Sequence, residues 1–249
     1  FTGSVAIGKR IAATAGYKKL VLELGGNDPL IILNDADLEL AVTLAAEGSY
    51  RNSGQRCTAV KRILVEDGIA AKFTARFVEK TKEYVCGDPM DEATRVGTVI
   101  DEAAAIQLET VLREAVTAGA RIVIGGERRG TLLQPTVITD VPRDCRMVVC
   151  ESFGPLAPII TVRDLDDALT LANATAYGLS SGVVTTSLPS ALKAIKTLRC
   201  GTVNINDVPG FRVECSPFGG IKDSGLGIKE GVIEAIKAYS YVKTFSLPW

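Results

Sequence analysis

The sequence predicts an α/β fold, because short runs of β-favouring residues alternate with stretches of helical periodicity along most of its 249 residues. The first run, residues 21–24, stops at a glycine pair. Residues 35–37, which include two aspartates, then precede apolar residues at helical spacing over 38–45, as at the start of a helix. With 47% hydrophobic and 23% charged residues, the chain can bury a sizeable core.

The same alternation continues through the rest of the chain and predicts a sheet whose strands are joined by crossover helices. The predicted elements are a helix over 101–118, strands over 121–124 and 157–162, a helix over 166–172, a strand over 181–184, a helix over 189–198 and a strand over 202–205. A glycine-dense stretch, one more helix and a strand over 239–247 complete the chain. An unpaired terminal strand needs a sheet edge to join, which a neighbouring subunit can supply.

Composition excludes several classes of function. The chain has no histidine, so a Ser-His-Asp or Cys-His nucleophile and a histidine-ligated metal are excluded within it. Its 28 basic and 29 acidic residues give no overall attraction to nucleic acid or to an anionic membrane. No apolar run is long enough to span a bilayer and no signal-peptide pattern opens the chain, so we expect a cytoplasmic protein with no membrane partner.

The six cysteines are scattered and form no CxxC pair, so we expect reduced thiols and no metal site. Cys57 differs from the others because it follows a turn at Gly54 that can present the thiol, and Arg56 beside it can favour the thiolate. Glu23 is the candidate base, since a carboxylate half-buried at a strand end has a raised pKa. The alternative for Glu23 is a carboxylate that caps a turn.

Two further segments are candidates for binding a cofactor. Gly3 and Ser4 precede a helix of small residues, whose free backbone N–H groups suit phosphate, although a simple N-cap would look the same. Glu151 and Phe153 lie on a Gly-Pro turn, where an acid can hold a ribose and an aromatic ring can brace a flat ring. Alone, this segment would also fit an ordinary loop.

Six motifs in order along the chain together resemble the aldehyde dehydrogenase superfamily. They are Phe1-Thr2-Gly3-Ser4, Glu23-Leu24-Gly25-Gly26, Gly54-Gln55-Arg56-Cys57, Glu151-Ser152-Phe153-Gly154-Pro155, Gly201-Thr202-Val203-Asn204, and Pro217-Phe218-Gly219-Gly220 with Lys222, Ser224 and Gly225. The resemblance implies that Cys57 attacks the aldehyde and that Glu23 activates the water that releases the acid. It also implies NAD or NADP as cofactor, with Glu151 on the nicotinamide ribose, Phe153 against the cofactor, and Gly3 and Ser4 near the pyrophosphate.

The resemblance also implies a division of the chain. Residues 1–25 match the last part of a dinucleotide-binding, Rossmann-like domain, and residues 26–223 match the catalytic domain. Residues 224–238 match a helix that returns to the cofactor domain, and residues 239–249 match an oligomerisation strand of a homodimer or homotetramer. Family members are longer, and their preceding half holds an oxyanion-binding asparagine. We therefore expect weak or absent dehydrogenase activity from these residues alone.

Three arginines near the motifs indicate an anionic aldehyde, because guanidinium groups bind carboxylate, phosphate or phosphonate through paired hydrogen bonds. Arg51 matches a carboxylate-binding position of succinate semialdehyde dehydrogenases, and Arg56 and Arg212 match phosphate-binding positions of non-phosphorylating glyceraldehyde phosphate dehydrogenases. The segments 221–231 and 243–249 look most like those of phosphonoacetaldehyde dehydrogenases. Succinate semialdehyde and lactaldehyde are the alternative substrates.

Two other classes stay open at this point. A coenzyme A-acylating relative would cleave the thioester with a thiol, although the presence of Glu23 favours water. A non-catalytic assembly module would contain an inert Cys57.

Overall fold

The computed structural model describes all residues from 1 to 249, and its centre is a seven-stranded sheet. The sheet order is β3-β6-β7-β2-β1-β8-β9, in which β3 runs antiparallel to β6 and all other neighbours pair in parallel. A separate pair, β4 and β5, forms a small antiparallel hairpin. The strands are β1 (Asp28–Ile32), β2 (Val60–Glu66), β3 (Arg121–Ile124), β4 (Arg128–Arg129), β5 (Leu132–Leu133), β6 (Thr136–Thr139), β7 (Leu156–Val162), β8 (Ser180–Val184) and β9 (Thr202–Ile205).

Helices cover both faces of the sheet, as expected when parallel strands are joined by crossovers. They are α1 (Val5–Thr14), α2 (Leu38–Tyr50), α3 (Asp67–Lys82), α4 (Glu102–Thr117), α5 (Arg146–Val149), α6 (Leu165–Asn173), α7 (Leu188–Thr197) and α8 (Val232–Ala238), with short 3-10 turns at Arg51–Gly54 and Lys222–Ser224. The prediction of an α/β fold is confirmed.

Alternating side chains of the central strands divide the core into two parts. Leu30 and Ile32 of β1 pack with α2 and α3 on one face. Ile31 and Leu33 pack with α4, α5, α6 and α7 on the other. Because both faces are covered, these strands contain consecutive apolar residues instead of an apolar-polar alternation.

The order of the sheet places three chain segments together. Strands β7, β2 and β1 are adjacent, so the residues that precede each of them meet at the amino edge of the sheet. Glu23 precedes β1, Cys57 precedes β2 and Glu151 precedes β7. This adjacency brings residues together that lie far apart in the sequence.

The predicted helices and strands between residues 101 and 205 all form, with ends that shift by at most one residue. Residues 21–24 do not form a regular strand, because only Glu23 makes bridges, to Thr2 and to Gly225. The helix predicted within 224–238 begins only at Val232, after Gly227 and Gly231, which both have positive φ.

The predicted strand over 239–247 is wrong for the isolated chain. This segment has no strand partner, and its apolar side chains are exposed, with Tyr241 at 87% and Phe245 at 78%. No helix in the structure combines the length and apolar character that crossing a bilayer requires.

Candidate active site

A cavity of about 770 Å³ at the amino edge of the sheet brings together most of the predicted site residues. Its wall includes the candidate nucleophile Cys57 and the candidate base Glu23. It also includes all four candidate cofactor-binding residues, Gly3, Ser4, Glu151 and Phe153. One space can therefore admit a small molecule to all of these groups.

A tight turn after α2 presents Cys57 to this cavity. Asn52, Ser53 and Gly54 have φ values of 55°, 54° and 70°, so the chain leaves the helix through three consecutive left-handed residues. At Gly54 a Cβ atom would lie 2.2 Å from the carbonyl oxygen of Gly154, so only glycine fits there. The predicted turn before Cys57 is confirmed.

The thiol of Cys57 is half-buried, and burial raises its pKa above the ordinary value. The ammonium group of Lys61 opposes this effect, and the carboxylate of Asp28 adds to it. The expectation that Arg56 would make the surroundings favour a thiolate is wrong in its result, because desolvation outweighs the nearby cations. The leading cationic influence on the thiol comes from Lys61.

Glu23 is held in place by backbone pairing while its carboxylate is left free. The residue is 6% exposed, and neither carboxylate oxygen has a hydrogen-bond partner. The pKa of Glu23 is raised to about 7, chiefly by burial and also by the charge of Glu230, while Lys229 and Arg212 act in the opposite direction. The predicted rise in pKa is confirmed, and a carboxyl group of this pKa can accept a proton near neutral pH.

The glycine pair after Glu23 allows the other site segments to approach closely. A Cβ atom on Gly25 would lie 2.3 Å from a carboxylate oxygen of Glu151. A Cβ atom on Gly26 would lie 2.5 Å from the carbonyl oxygen of Cys57. Any larger residue at either position would push Glu151 or the Cys57 turn away from Glu23.

The candidate cofactor residues lie on the same wall. The backbone N–H of Gly26 donates to Glu151 Oε1 at 3.0 Å. Phe153 adopts a φ of 56°, and its ring is 43% exposed beside the cavity. Ser4 caps α1 by accepting from the N–H of Ile7, so the N-terminal end of α1 also faces the cavity. An acid, a flat ring and a helix N-terminus in one wall fit the ribose, nicotinamide and phosphate groups of NAD(P).

The three predicted substrate arginines lie in different environments. Arg56 lines the cavity, but its Nη2 donates to the carbonyl oxygens of Glu47 and Gly48 at 3.1 and 2.9 Å. Arg212 lies 3.4 Å from Glu230 and stacks over the ring of Phe218, 4.5 Å from its centroid. Arg51 is exposed at the start of the turn and has no ion-pair partner. Of the three, Arg51 has the guanidinium group that is free of protein partners.

The sequence analysis missed Lys61 and Asp28, which form the polar floor behind Cys57. Lys61 is 2% exposed and Asp28 is 1% exposed, and both influence the thiol. A detectable signal was present, because Lys61 and Arg62 are two basic residues in the middle of an apolar strand that is buried on both faces. Such charges need partners inside the protein.

Comparisons with known proteins agree with this site. A model described as the aldehyde dehydrogenase family matches residues 1–245. The sulfoacetaldehyde dehydrogenase of Neptuniibacter caesariensis is 43% identical over 244 residues, which cover 98% of this chain and 53% of that protein. The lactaldehyde dehydrogenase of Methanococcus maripaludis is 39% identical over 244 residues, which cover 98% of this chain and 52% of that protein.

The fold agrees as well. The crystal structure of a glyceraldehyde-3-phosphate dehydrogenase from Methanocaldococcus jannaschii complexed with NADP matches with a TM-score of 0.94 and 42% identity, over 98% of this chain and 53% of that one. The chain thus spans about half the length of these relatives. The family model, the relatives and the fold together show that the chain belongs to the aldehyde dehydrogenase family.

Proposed function

We propose that this chain supplies the catalytic part of an NAD(P)-dependent aldehyde dehydrogenase, with Cys57 as the nucleophile and Glu23 as the base. The observation that carries the proposal is that a half-buried thiol and a buried carboxylate without hydrogen-bond partners line one cavity. A carboxylate that is not occupied by protein donors is available to water or to a thiol.

The chemistry follows from these two groups. Glu23 takes the proton of Cys57, and the sulfur attacks the aldehyde carbon to form a thiohemiacetal. Glu151 and Phe153 would hold NAD(P), which would supply the hydride acceptor that converts the thiohemiacetal into a thioester. After the first proton has passed to solvent, Glu23 takes a proton from a water molecule, whose oxygen attacks the carbonyl carbon of the thioester, and Glu23 returns this proton to the departing sulfur. The carbon–sulfur bond breaks, the carboxylic acid leaves, and the thiol of Cys57 is restored.

The presence of a free carboxylate at Glu23 supports hydrolysis over transfer of the acyl group to coenzyme A, because acyl transfer to a thiol needs no water-activating base. The experiment measures NADH and NADPH formation with a panel of aldehydes, for these residues alone and for the complete protein that carries them. We expect turnover to disappear in Cys57→Ser and to persist in Cys215→Ser, whose thiol is exposed. Full turnover by Cys57→Ser would refute the proposal.

For the 249 residues alone we expect weak or absent dehydrogenase turnover. The relatives are about twice as long, and the resemblance implies that an oxyanion-binding asparagine and most of the dinucleotide site lie outside these residues. Robust turnover by this chain alone would contradict that expectation.

We further propose that the substrate is an anionic aldehyde of the phosphonoacetaldehyde type, with succinate semialdehyde and lactaldehyde as alternatives. Arg51 supports this, because its guanidinium is exposed and has no ion-pair partner. Two relatives are named for anionic substrates, sulfoacetaldehyde and glyceraldehyde 3-phosphate, whereas the lactaldehyde of a third is neutral.

If the substrate is anionic, arginine variants should lose kcat/KM for anionic aldehydes and not for neutral ones. Removing a charge-assisted hydrogen bond costs about 1.5–3 kcal/mol, so we expect Arg51→Leu to lower kcat/KM for an anionic aldehyde by about 10- to 100-fold and to leave a neutral aldehyde unaffected. Arg212→Leu should show a smaller selective loss, because Glu230 already partners this guanidinium. Arg129→Leu, at an exposed position away from the cavity, is the matched control. Equal losses for charged and neutral aldehydes would exclude the charge-based explanation.

We also propose a homo-oligomer in which residues 239–249 join a neighbouring subunit. The support is the exposure of apolar side chains over α8 and this tail, including Ile236 at 63% and Val242 at 99%. Light scattering tests this, since deletion of residues 239–249 should lower the molar mass to that of a monomer.

A further inference from the structure

Lys61 lies behind the nucleophile and contacts its main chain directly. The ammonium group donates to the carbonyl oxygens of Arg56 and Cys57, at 2.8 Å each, and approaches that of Ala59 at 3.5 Å. These residues form the irregular turn before β2, where no strand or helix fixes the backbone. The hydrogen bonds of one buried side chain therefore hold the turn that presents the thiol.

The same ammonium group also faces the cofactor-binding wall. Glu151 Oε1 lies 3.5 Å from Lys61 Nζ, and the centroid of the Phe153 ring lies 6.0 Å from it. Lys61 is 2% exposed, and burying a charge this deeply is unfavourable unless charged and polar partners surround it. A methionine would fill similar space without that cost, so the charge itself needs an explanation.

The hydrogen bond to the Arg56 carbonyl has a second consequence. In a trans peptide the C=O and N–H groups point in opposite directions, so holding the Arg56 oxygen also sets the direction of the Cys57 N–H. That N–H makes no hydrogen bond within the protein. It is thus free to donate to an oxygen atom on the carbon that Cys57 attacks.

We propose that Lys61 is a positioning residue for the nucleophile, which fixes the Cys57 N–H as an oxyanion donor and keeps a positive charge beside the thiolate. The proposal rests on the proposed function, in which Cys57 forms a covalent intermediate. Lys61 itself does not touch the reacting carbon and acts only through Cys57 and the carbonyl groups that it binds.

Several charged groups face the thiol and contribute to its pH dependence. They are Lys61 from β2, Asp28 from β1, Glu151 from the loop before β7, Arg56 from the same turn and Glu23 from the lining of the same cavity. The cations favour the thiolate and the carboxylates disfavour it. Substitutions of Lys61 and of Glu151 should therefore shift the reactivity of Cys57 in opposite directions.

The test measures the rate at which iodoacetamide alkylates Cys57 as a function of pH, by mass spectrometry, with the exposed Cys215 of the same molecule as internal reference. In Lys61→Met we expect the apparent pKa of the thiol to rise by about one unit, so that alkylation near pH 7.5 slows about tenfold. Lys61→Arg should recover most of this loss. Lys222→Met is the matched control, since Lys222 also donates to two carbonyl oxygens, those of Asn173 and Thr175, away from Cys57.

A second measurement separates the effect of the direction of the Cys57 N–H from the effect of the Lys61 charge. An activated ester such as 4-nitrophenyl acetate acylates Cys57 through a tetrahedral oxyanion, whereas alkylation by iodoacetamide has none. We expect Lys61→Met to slow the acylation burst about tenfold more than it slows alkylation, because one oxyanion donor contributes on the order of 10²-fold or more when lost outright.

The outcomes distinguish the two proposals. A folded Lys61→Met with wild-type pH profile and wild-type burst would overturn the role of Lys61. If Lys61→Met does not fold, Glu151→Gln decides, because it should accelerate alkylation of Cys57, and an unchanged profile would equally overturn the role. A wild-type Cys57 that 4-nitrophenyl acetate does not acylate would instead refute the proposed function.

Discussion

The pKa of Glu23 leads to a quantitative prediction for the step in which water releases the acyl group. With a pKa of about 7, roughly one-eleventh of the molecules carry the Glu23 carboxylate at pH 6, about half at pH 7 and about ten-elevenths at pH 8. If the carboxylate is the base, deacylation should rise about fivefold between pH 6 and pH 7 and less than about twofold between pH 7 and pH 8.

Hydrolysis of 4-nitrophenyl acetate measures this step without a cofactor, since the burst reports acylation of Cys57 and the steady rate reports deacylation. Glu23→Gln is nearly isosteric, and its amide cannot accept a proton. We expect the burst to keep its amplitude but to become slower, because Glu23 also takes the proton of Cys57, and the steady rate to fall about 10²- to 10⁴-fold. The matched control is Glu230→Gln, which should lower the pKa of Glu23 and shift the rise to lower pH, because Glu230 is one cause of the raised value. A pH-independent steady rate, or full turnover by Glu23→Gln, would refute the assignment of Glu23 as the base.

Two predictions concern stability and are measured by chemical denaturation. Gly54→Ala should lower the free energy of unfolding by about 3 kcal/mol and slow the alkylation of Cys57. Gly130 has a similar φ of 61°, but a Cβ atom there would meet no atom within 4 Å, so Gly130→Ala should lower the free energy of unfolding by only about 1 kcal/mol. Equal losses would contradict the effect of the close approach at Gly54. Arg143→Met should lower the free energy of unfolding by about 2 kcal/mol, because it removes hydrogen bonds of 2.7 and 2.8 Å to the buried Asp167. The side chain of Arg163 is 82% exposed, so Arg163→Met should lower it by less than about 0.5 kcal/mol. Arg143 holds the pKa of Asp167 well below its usual range. The stabilisation by this ion pair should therefore be complete above about pH 4 and decrease as the pH falls below that value. If Arg143→Met and the wild type lost stability equally below about pH 4, the ion pair would be contradicted.

Periodicity predicted seven of the helices and strands between residues 101 and 205, because those elements have the apolar spacing that their buried faces require. It did not predict β4, β5, β6 and α5, which are only two to four residues long. It failed at 239–247, where β-favouring residues have no strand to pair with inside the chain. It also failed at 224–231, where glycines with positive φ delay the helix. Local pattern alone therefore predicts an element only when the rest of the chain offers it a partner.

The candidate site, too, could be predicted from local sequence only in part. The surroundings of Glu23 and Cys57 could be inferred locally, since a carboxylate at a strand end and a thiol after a glycine turn are visible in the sequence. Their meeting could not be derived from spacing, because it depends on the sheet order that makes β1 and β2 neighbours. The resemblance to a family supplied that information indirectly. The charge of Lys61 within an apolar strand was visible in the sequence, but its contact with the Cys57 turn was not, because its partners are backbone carbonyl groups.

The basic residues around the cavity explain why the site's base is free to act. Their side chains bind main-chain carbonyl groups: Lys61 those of Arg56 and Cys57, Arg56 those of Glu47 and Gly48, Arg62 those of Asn27, Leu171 and Ala172, and Lys229 those of Gly201 and Gly219. The hydrogen bonds of Lys61 and Lys229 fix irregular segments, whereas Arg56 and Arg62 also bind carbonyl groups in the last turns of α2 and α6. Because the nearby cations are occupied in this way, none of them hydrogen-bonds the carboxylate of Glu23. Burial then dominates the pKa of Glu23, and a chain without histidine obtains a base that titrates near neutral pH.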